Sequence, residues 1–222
     1  MSISTLSLRS FTVAAALTAA AASASALTLP TDALQANSVQ AFSPAALEQF
    51  DIFEIAVTPL GNATTTSTAG AFNLPVTSIS INSSLKVTAG TATGSALEIA
   101  RIYRSAKVGV TIANFKIDFV NHKVLADVTP IGGVTIPQMA VYSFNEAIPL
   151  TLKYKFPLSV TGTQLLDQLF LTPDGITTIA KALALPNFAP ALMKTTDFGK
   201  IDIIVKVALR RPVSTRPYVP AN

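Results

Sequence analysis

Two stretches of this chain alternate apolar and polar residues almost without interruption, and that period of two limits the fold more than any other feature. Ile148, Leu150, Leu152, Tyr154, Phe156, Leu158 and Val160 occupy every second position, with Thr151, Lys153 and Lys155 between them. Ile201, Ile203, Val205, Val207 and Leu209 repeat the pattern, with Lys200, Asp202, Lys206 and Arg210 in the other phase. Side chains on a strand point alternately to opposite faces, so such runs predict a sheet with one face buried. Pro149 and Pro157 place the first run at an edge, because proline cannot donate to a ladder.

A hairpin is predicted from Phe115 to Val128. With Asn121 and His122 as a two-residue turn, Val120 faces Lys123, Phe119 faces Val124, Ile117 faces Ala126 and Phe115 faces Val128. Lys116 then opposes Asp127, with Asp118 diagonal to it. Upstream, the apolar phase moves from Val108, Val110 and Ile112 to Phe115 and Ile117, which predicts a bulge near Ala113-Asn114. Strands are also expected over Ile52–Val57, Val76–Ile81 (with Ser84–Val87 as its continuation), Leu97–Tyr103 and Val108–Ile112. Gly61–Gly70 reads as a loop and Gly90–Gly94 as a turn.

Helical signals are few. Ser43-Pro44 starts a short helix with Leu47 and Phe50 on one face, since serine caps free N–H groups and proline suits the first helical position. Leu165, Leu166, Leu169 and Phe170 form one stripe. Ile176, Ile179, Ala180 and Leu183 form another, opening at Asp174 or Gly175 and stopped by Pro186. The expected fold is mainly β: an antiparallel β-sandwich or flattened barrel with a small helical insert over residues 163–194. A single domain over residues 27–211 is expected, opening with a polar, irregular lead-in over Leu27–Phe42 and followed by a loose, proline-rich tail over 212–222.

Residues 1–26 read as a secretory leader: Arg9 supplies a positive charge, Phe11–Ala22 an apolar run, and Ala24-Ser25-Ala26 the small residues before a cut at Leu27. The mature chain is then expected to be secreted or periplasmic. It has no cysteine, which excludes a thiol nucleophile, a thiolate metal site and a lipid-anchored cysteine. Apolar residues make up 50% of the chain and charged ones 13%, so stability rests on a core rather than on disulfides. The most apolar later stretch, Ile176–Met193, is interrupted by Lys181, Pro186 and Pro190, so no membrane-spanning helix is expected in the mature chain. Asn62-Ala63-Thr64 and Asn82-Ser83-Ser84 match the glycosylation pattern.

Several segments together resemble a known group. They are Ile55-Ala56-Val57-Thr58-Pro59-Leu60-Gly61-Asn62-Ala63, Phe72-Asn73-Leu74-Pro75-Val76, Gly94-Ser95-Ala96-Leu97 and Ile112-Ala113-Asn114-Phe115-Lys116-Ile117-Asp118. Their order resembles uncharacterised bacterial secreted β-rich proteins, a set loosely similar to the haem-transport-associated, HtaA-type domain. The resemblance implies a β-rich exported fold. Such haem-binding modules use a tyrosine near their start, supported by a histidine, whereas Leu27 to Ile102 contains no tyrosine. No functional residue is carried across.

Residues suited to chemistry are sparse. His122, the only histidine, falls in the predicted turn, and no Gly-x-Ser-x-Gly elbow occurs. Asp118 and Asp127 share a face, but Lys116 lies beside them, which reads as a surface charge cluster rather than a glycosidase pair. Glu48, Asp51 and Glu54 read as an exposed helix end. One histidine and no cysteine exclude ordinary zinc sites, and no calcium or phosphate loop is present. Tyr103, Tyr142 and Tyr154 are candidate haem ligands, and His122 could support one of them; aromatics on alternating strands are core residues far more often. No cofactor is therefore expected.

Leu27–Leu85 carries four acidic residues and no basic one, and the basic residues follow. Lys153, Lys155, Lys200, Lys206 and Arg210 form one stripe if their strands are neighbours. Aromatics do not interleave with them, so nucleic acid is not an expected partner; an anionic cell-envelope glycan or lipid fits better. Val120, Leu125 and Ile204 are apolar on presumed outer faces and point to a second layer or to self-association. The first expectation is thus a non-catalytic, exported structural or surface-interaction protein. The second is a carrier of an apolar ligand or haem, in a cavity lined by Leu165, Leu169, Phe170, Ile179 and Leu183. A hydrolase using Asp118, Asp127 and His122 is the third.

Overall fold

The computed structural model describes residues 27–221 apart from 85 and 156–158; for residues 151–155, 159–160 and 207 it describes the backbone alone. The leader and Phe156, Pro157 and Leu158 lie outside the described residues. In chain order the elements are β1 (Leu27–Pro30), β2 (Leu34–Ala41), α1 (Pro44–Ile52), β3 (Ala56–Gly61), β4 (Thr64–Thr65), β5 (Ala71–Pro75), β6 (Ser78–Ile81), β7 (Val87–Tyr103), β8 (Ala106–Asp118), β9 (Lys123–Pro130), β10 (Ile136–Lys155), β11 (Ser159–Leu171), α2 (Pro173–Ala182), α3 (Ala189–Thr195) and β12 (Lys200–Leu209).

All strand pairs are antiparallel, in the order β1-β6-β7-β8-β9-β10-β11-β12-β2-β5-β4, with β3 on the side of β7. The chain itself joins the two ends of this order. β1 runs into β2 around a corner at residues 31–33, and β5 runs into β6 at Val76-Thr77. Those corners lie against each other: Thr31 N–H bonds Thr77 O at 2.9 Å, Val76 N–H bonds Ala36 O at 2.8 Å, and Thr77 N–H bonds Thr91 O at 2.8 Å. The sheet therefore curls round on itself. Of the two architectures expected, this is the barrel-like one.

Arg210 holds the corner. Its guanidinium donates to the carbonyls of Thr31 (3.3 Å), Asp32 (3.0 Å), Ala36 (3.1 Å) and Val76 (2.8 Å), and to Asn37 Oδ1 (2.8 Å). Backbone groups freed where a strand bends must find partners, and one planar cation satisfies several here. Burial lowers the Arg210 pKa, and the charge of Asp32 acts against that shift.

The three helices cover one end of the curled sheet. α1 opens as its sequence dictates: Ser43 Oγ accepts the N–H of Ala46 at 3.1 Å, and Pro44 fills the first position. Phe50 packs edge-on to Phe42 at 5.1 Å, Phe42 reaches Phe72 at 6.1 Å, and Phe198 lies between Phe50 and Tyr142 at 6.4 and 6.0 Å. α2 buries Ile176, Ile179 and Ala180 as the stripe requires, but its cap is Thr172 rather than Asp174 or Gly175.

Several boundaries differ from the sequence reading, each for a physical reason. The lead-in is not irregular; it contains β1 and β2. Ala36, Ser38 and Gln40 alternate inward along β2, and small or polar residues hide that period from an apolarity pattern. The expected strand at Ile52–Val57 is divided: α1 runs to Ile52, and β3 starts at Ala56 after Glu54 turns at φ 54°. Asn82 ends β6, its Oδ1 accepting the N–H of Ser84 and of Lys86, so Ser84–Val87 does not extend that strand. Gly90–Gly94 is not a turn but lies inside β7, where the register shifts between Ala92 and Ala96 and Gly94 takes φ +82°.

The first half of the predicted helical insert is strand. β11 runs to Leu171, with Leu166, Leu169 and Leu171 all buried. Gln168, at φ 52°, forms a bulge against β10 that inserts one residue between Leu166 and Leu169. A strand with such a bulge mimics the i, i+3 spacing of a helix. The Ile148–Val160 run likewise spans two strands, Lys155 pairing with Ser159. Its edge position holds locally, because the ladder to β9 ends at Ser143.

The hairpin forms two residues out of the expected register. Asp118 faces Lys123, Ile117 faces Val124, and Lys116 faces Leu125. An even slip keeps every side chain on its own face, so Phe115 and Ile117 remain buried. The bulge expected near Asn114 is present, with φ 54° and a register shift between Ala113 and Lys116. The tail is laced down rather than loose: Asn62 Nδ2 bonds Ser214 O at 2.7 Å, and Asn114 bonds both backbone groups of Tyr218 at 2.7 and 3.0 Å.

Candidate functional site

The candidate catalytic residues are occupied by structure. Asp118 builds the β8–β9 loop: Oδ1 accepts the N–H of Val120 and of Asn121 at 3.0 Å, and Oδ2 accepts the Asn121 side-chain amide at 2.8 Å. That side-chain bond, with the backbone bonds behind it, holds the Asp118 pKa below its ordinary value. Asp127 accepts from Asn114 Nδ2 at 2.8 Å and from both nitrogens of Gln138 at 2.9 and 3.1 Å. It lies four residues along β9 from the partner of Asp118, about 13 Å by strand rise. His122 sits in the loop at φ 51°, its ring 5.5 Å from Phe144. The structure does not bring the three together. Glu48, Asp51 and Glu54 are exposed.

Of the basic stripe, the ladder places Lys153 of β10 and Lys206 of β12 on either side of Thr161, while the other two described members are engaged elsewhere. Arg210 is committed to the corner, and Lys200 pairs with Asp202 at 2.9 Å. The side chains of Lys153 and Lys155 are outside the described residues. Val120 and Ile204 are exposed as expected, whereas Leu125 is half-buried. Tyr103 lies at the β7–β8 turn between the guanidiniums of Arg101 and Arg104, at 5.0 and 5.2 Å. Tyr142 is buried; burial pushes its hydroxyl pKa far up, and a hydrogen bond from Gln40 opposes that shift.

The feature that can hold a molecule is the inside of the curled sheet, at the end away from the helices. An open cleft of about 650 Å³ lies between Leu29 of β1, Ile79 and Ile81 of β6, Val87 of β7, Phe119 and Val120 of the β8–β9 loop, Leu150 of β10, and Val205 of β12. Its polar rim carries Asn82, Lys86, Thr88, Glu146 and Gln164, with Gln164 Nε2 donating to Glu146 Oε1 at 2.5 Å. The cleft narrows into an interior cavity of about 40 Å³. Ile79, Val87, Phe119, Leu150, Gln164 and Val205 border both spaces, so the two are one funnel. Deeper walls come from Leu74, Ala92, Phe115, Ile117, Val124, Ile201 and Ile203. Gln40, bonded to Tyr142, forms part of the floor.

A second small cavity, about 30 Å³, lies under the helices between Phe50, Phe53, Ile99, Tyr142, Ile179 and Leu183. It includes Ile179 and Leu183 from the expected cavity; Leu165 lines a separate open groove of about 360 Å³ with Ile148, Asp202 and Ile204, and Leu169 and Phe170 line none of these spaces. The funnel was not anticipated. Its only early signal is the inward alternation of Ser38 and Gln40, residues too polar for an ordinary core strand.

The chain is similar to the C-terminal domain of HtaA from Corynebacterium glutamicum. Identity is 16%, the match covers 79% of this chain and 99% of that one, and the TM-score is 0.49. A domain-swapped dimer of a histidine-to-alanine variant of the same domain matches at 16% identity over 74% and 92% of the two chains, with a TM-score of 0.42. This agrees with the loose resemblance read from the sequence. No family model matches the chain, and no curated protein matches it.

Among the described residues the funnel lining contains no histidine, tyrosine, methionine or cysteine, the side chains that ligate haem iron. Tyr103 and Tyr142 are both elsewhere, and the Tyr154 side chain is outside the described residues.

Proposed function

We propose that this protein is a non-catalytic carrier that holds an apolar molecule in the funnel. The observation that carries this reading is the continuous apolar wall, from an open cleft of about 650 Å³ into the centre of the sheet. Ligand sites of small molecules commonly measure ~300–1,000 Å³ and combine apolar walls with a few polar groups. Lys86, Glu146 and Gln164 at the rim supply such groups. The dispersed Asp118, Asp127 and His122 supply no matching constellation for hydrolysis. The leader over residues 1–26 supports a site of action outside the cytoplasm.

The test is titration of the mature chain with an environment-sensitive apolar dye such as N-phenylnaphthylamine, with competition by unlabelled apolar molecules. One saturable site per chain, emptied by competitors, is expected. Absence of saturable binding, together with native mass spectra showing only bare chains after export, overturns the reading.

A further inference from the structure

Resting on the carrier reading, we infer that the funnel takes a single-chain amphiphile, an acyl or isoprenyl chain whose tail passes Gly90 into the barrel while its polar end stays at the rim. The key is a side chain that is missing. In β7, Gly90 lies directly opposite Ile79 of β6 and Ile117 of β8. Residues opposite each other in antiparallel strands share a face, and both isoleucines line the interior. A side chain at position 90 therefore projects inward as well. A Cβ placed on Gly90 meets no atom within 4 Å, and Gly90 is not among the glycines with positive φ. No backbone strain calls for glycine there. Glycine weakens a strand interior, and one common reason for its presence is close approach of a ligand.

The dimensions set the shape of the guest. The interior cavity, about 40 Å³, is less than a third of an apolar cavity of ~150 Å³ that accepts benzene. A planar ring system thus stops in the outer cleft, whereas the end of a hydrocarbon chain enters between Ile79 and Ile117 over the bare backbone of Gly90. The wider cleft above has room for the rest of the chain. Its charged groups, Lys86 and Glu146, line the outer cleft alone, whereas the polar groups that reach the interior, Ser38, Gln40 and Gln164, are uncharged, which sets the chain end inward and the head outward.

The experiment measures displacement of the dye from the mature chain by straight-chain alcohols and carboxylates of increasing length and, in parallel, by isoprenyl alcohols of matched length. In the parent protein, affinity is expected to rise about fourfold per methylene until the tail fills the interior, then level off. In Gly90→Phe the plateau moves to shorter chains: the longest probes weaken tenfold or more, while the shortest change less than twofold. Gly90→Leu gives the same trend and serves if the phenylalanine variant does not fold, as judged by circular dichroism. A preference between straight and isoprenyl series identifies which chain is carried. Long chains bound equally by the parent and both variants, or a parent that binds fused-ring probes better than chains, overturns the inference and leaves the carrier reading standing. Failure of the dye itself to bind overturns the carrier reading.

Discussion

Replacing Asn114 with alanine tests how the bulged side of the sheet is held. Asn114 is buried, sits at φ 54°, and uses its whole amide. Oδ1 accepts the N–H of Gly94 at 3.1 Å and of Tyr218 at 2.7 Å. Nδ2 donates to Asp127 Oδ2 at 2.8 Å and to Tyr218 O at 3.0 Å. Neutral hydrogen bonds contribute about 1 kcal/mol each and those to a charged group about 1.5–3. Alanine in a left-handed conformation costs about 1 kcal/mol more. Asp127 and the tail can turn to water, which recovers part of the loss, so Asn114→Ala is expected to destabilise by about 3–4 kcal/mol. Asn114→Gly removes the same bonds without the backbone strain and should recover about 1 kcal/mol of that. Urea unfolding followed by circular dichroism gives both numbers. Removing residues 214–222 deletes the Tyr218 partners, so the truncation and Asn114→Ala should be less than additive. A loss below 1 kcal/mol for Asn114→Ala, or full additivity with the truncation, would refute the reasoning.

Arg210→Met keeps much of the side chain's length but removes the charged donor shared by five acceptors at the strand corner, four of which keep a second, neutral donor; a loss of about 2–4 kcal/mol is expected by the same unfolding assay. Gly90→Ala enters open space on a strand and is expected to raise stability by about 1 kcal/mol, and a loss of similar size would mean that position 90 is already packed. Because the Asp118 pKa is lowered in the fold, its stabilising effect is complete above the unfolded carboxylate pKa and is lost as pH falls through the lower folded value; an NMR titration of the Asn121 amide should report a midpoint below that of a model aspartate. N-terminal sequencing of exported protein is expected to begin at Leu27, and recovery of an uncut chain from the cytoplasm would remove the leader reading.

What could be read from the sequence depended on which residues carried each period. β12 was plain because isoleucine and valine mark every inward position from Ile201 to Val205. β2 was hidden because Ala36, Ser38 and Gln40 face inward instead, and those residues carry no apolar signal. Where the phase broke, the outcome turned on what was nearby. At Asn114 the break was legible, since strong apolar residues flank it on both sides. At Gln168 the same kind of break, set among leucines, reproduced helical spacing. The hairpin shows a third limit: faces are fixed by pattern, but registers two apart satisfy that pattern equally, and Asp118 chose between them. Its carboxylate accepts two loop N–H groups, which fixes a four-residue connection rather than the two-residue turn.

The funnel could not be read locally, because no segment contains it. Among the described residues, the circuit around the barrel counts eight strands when β1–β2 and β5–β6 are each taken as one bent strand. Sheets closed at about that number are just wide enough either to fill with side chains or to hold one small ligand. The sizes of inward residues at each level decide which. At the helical end the chain supplies Phe42, Phe50, Phe72, Tyr142 and Phe198, and the space closes. At the other end it supplies Ser38, Gly90 and Ala92, and the space stays open. Each small residue has a bland local reading as turn, loop or weak strand. Only when the strands that carry them are brought to the same level does their smallness become a single property, a cavity, and that alignment depends on the bulges and corners that the local pattern conceals.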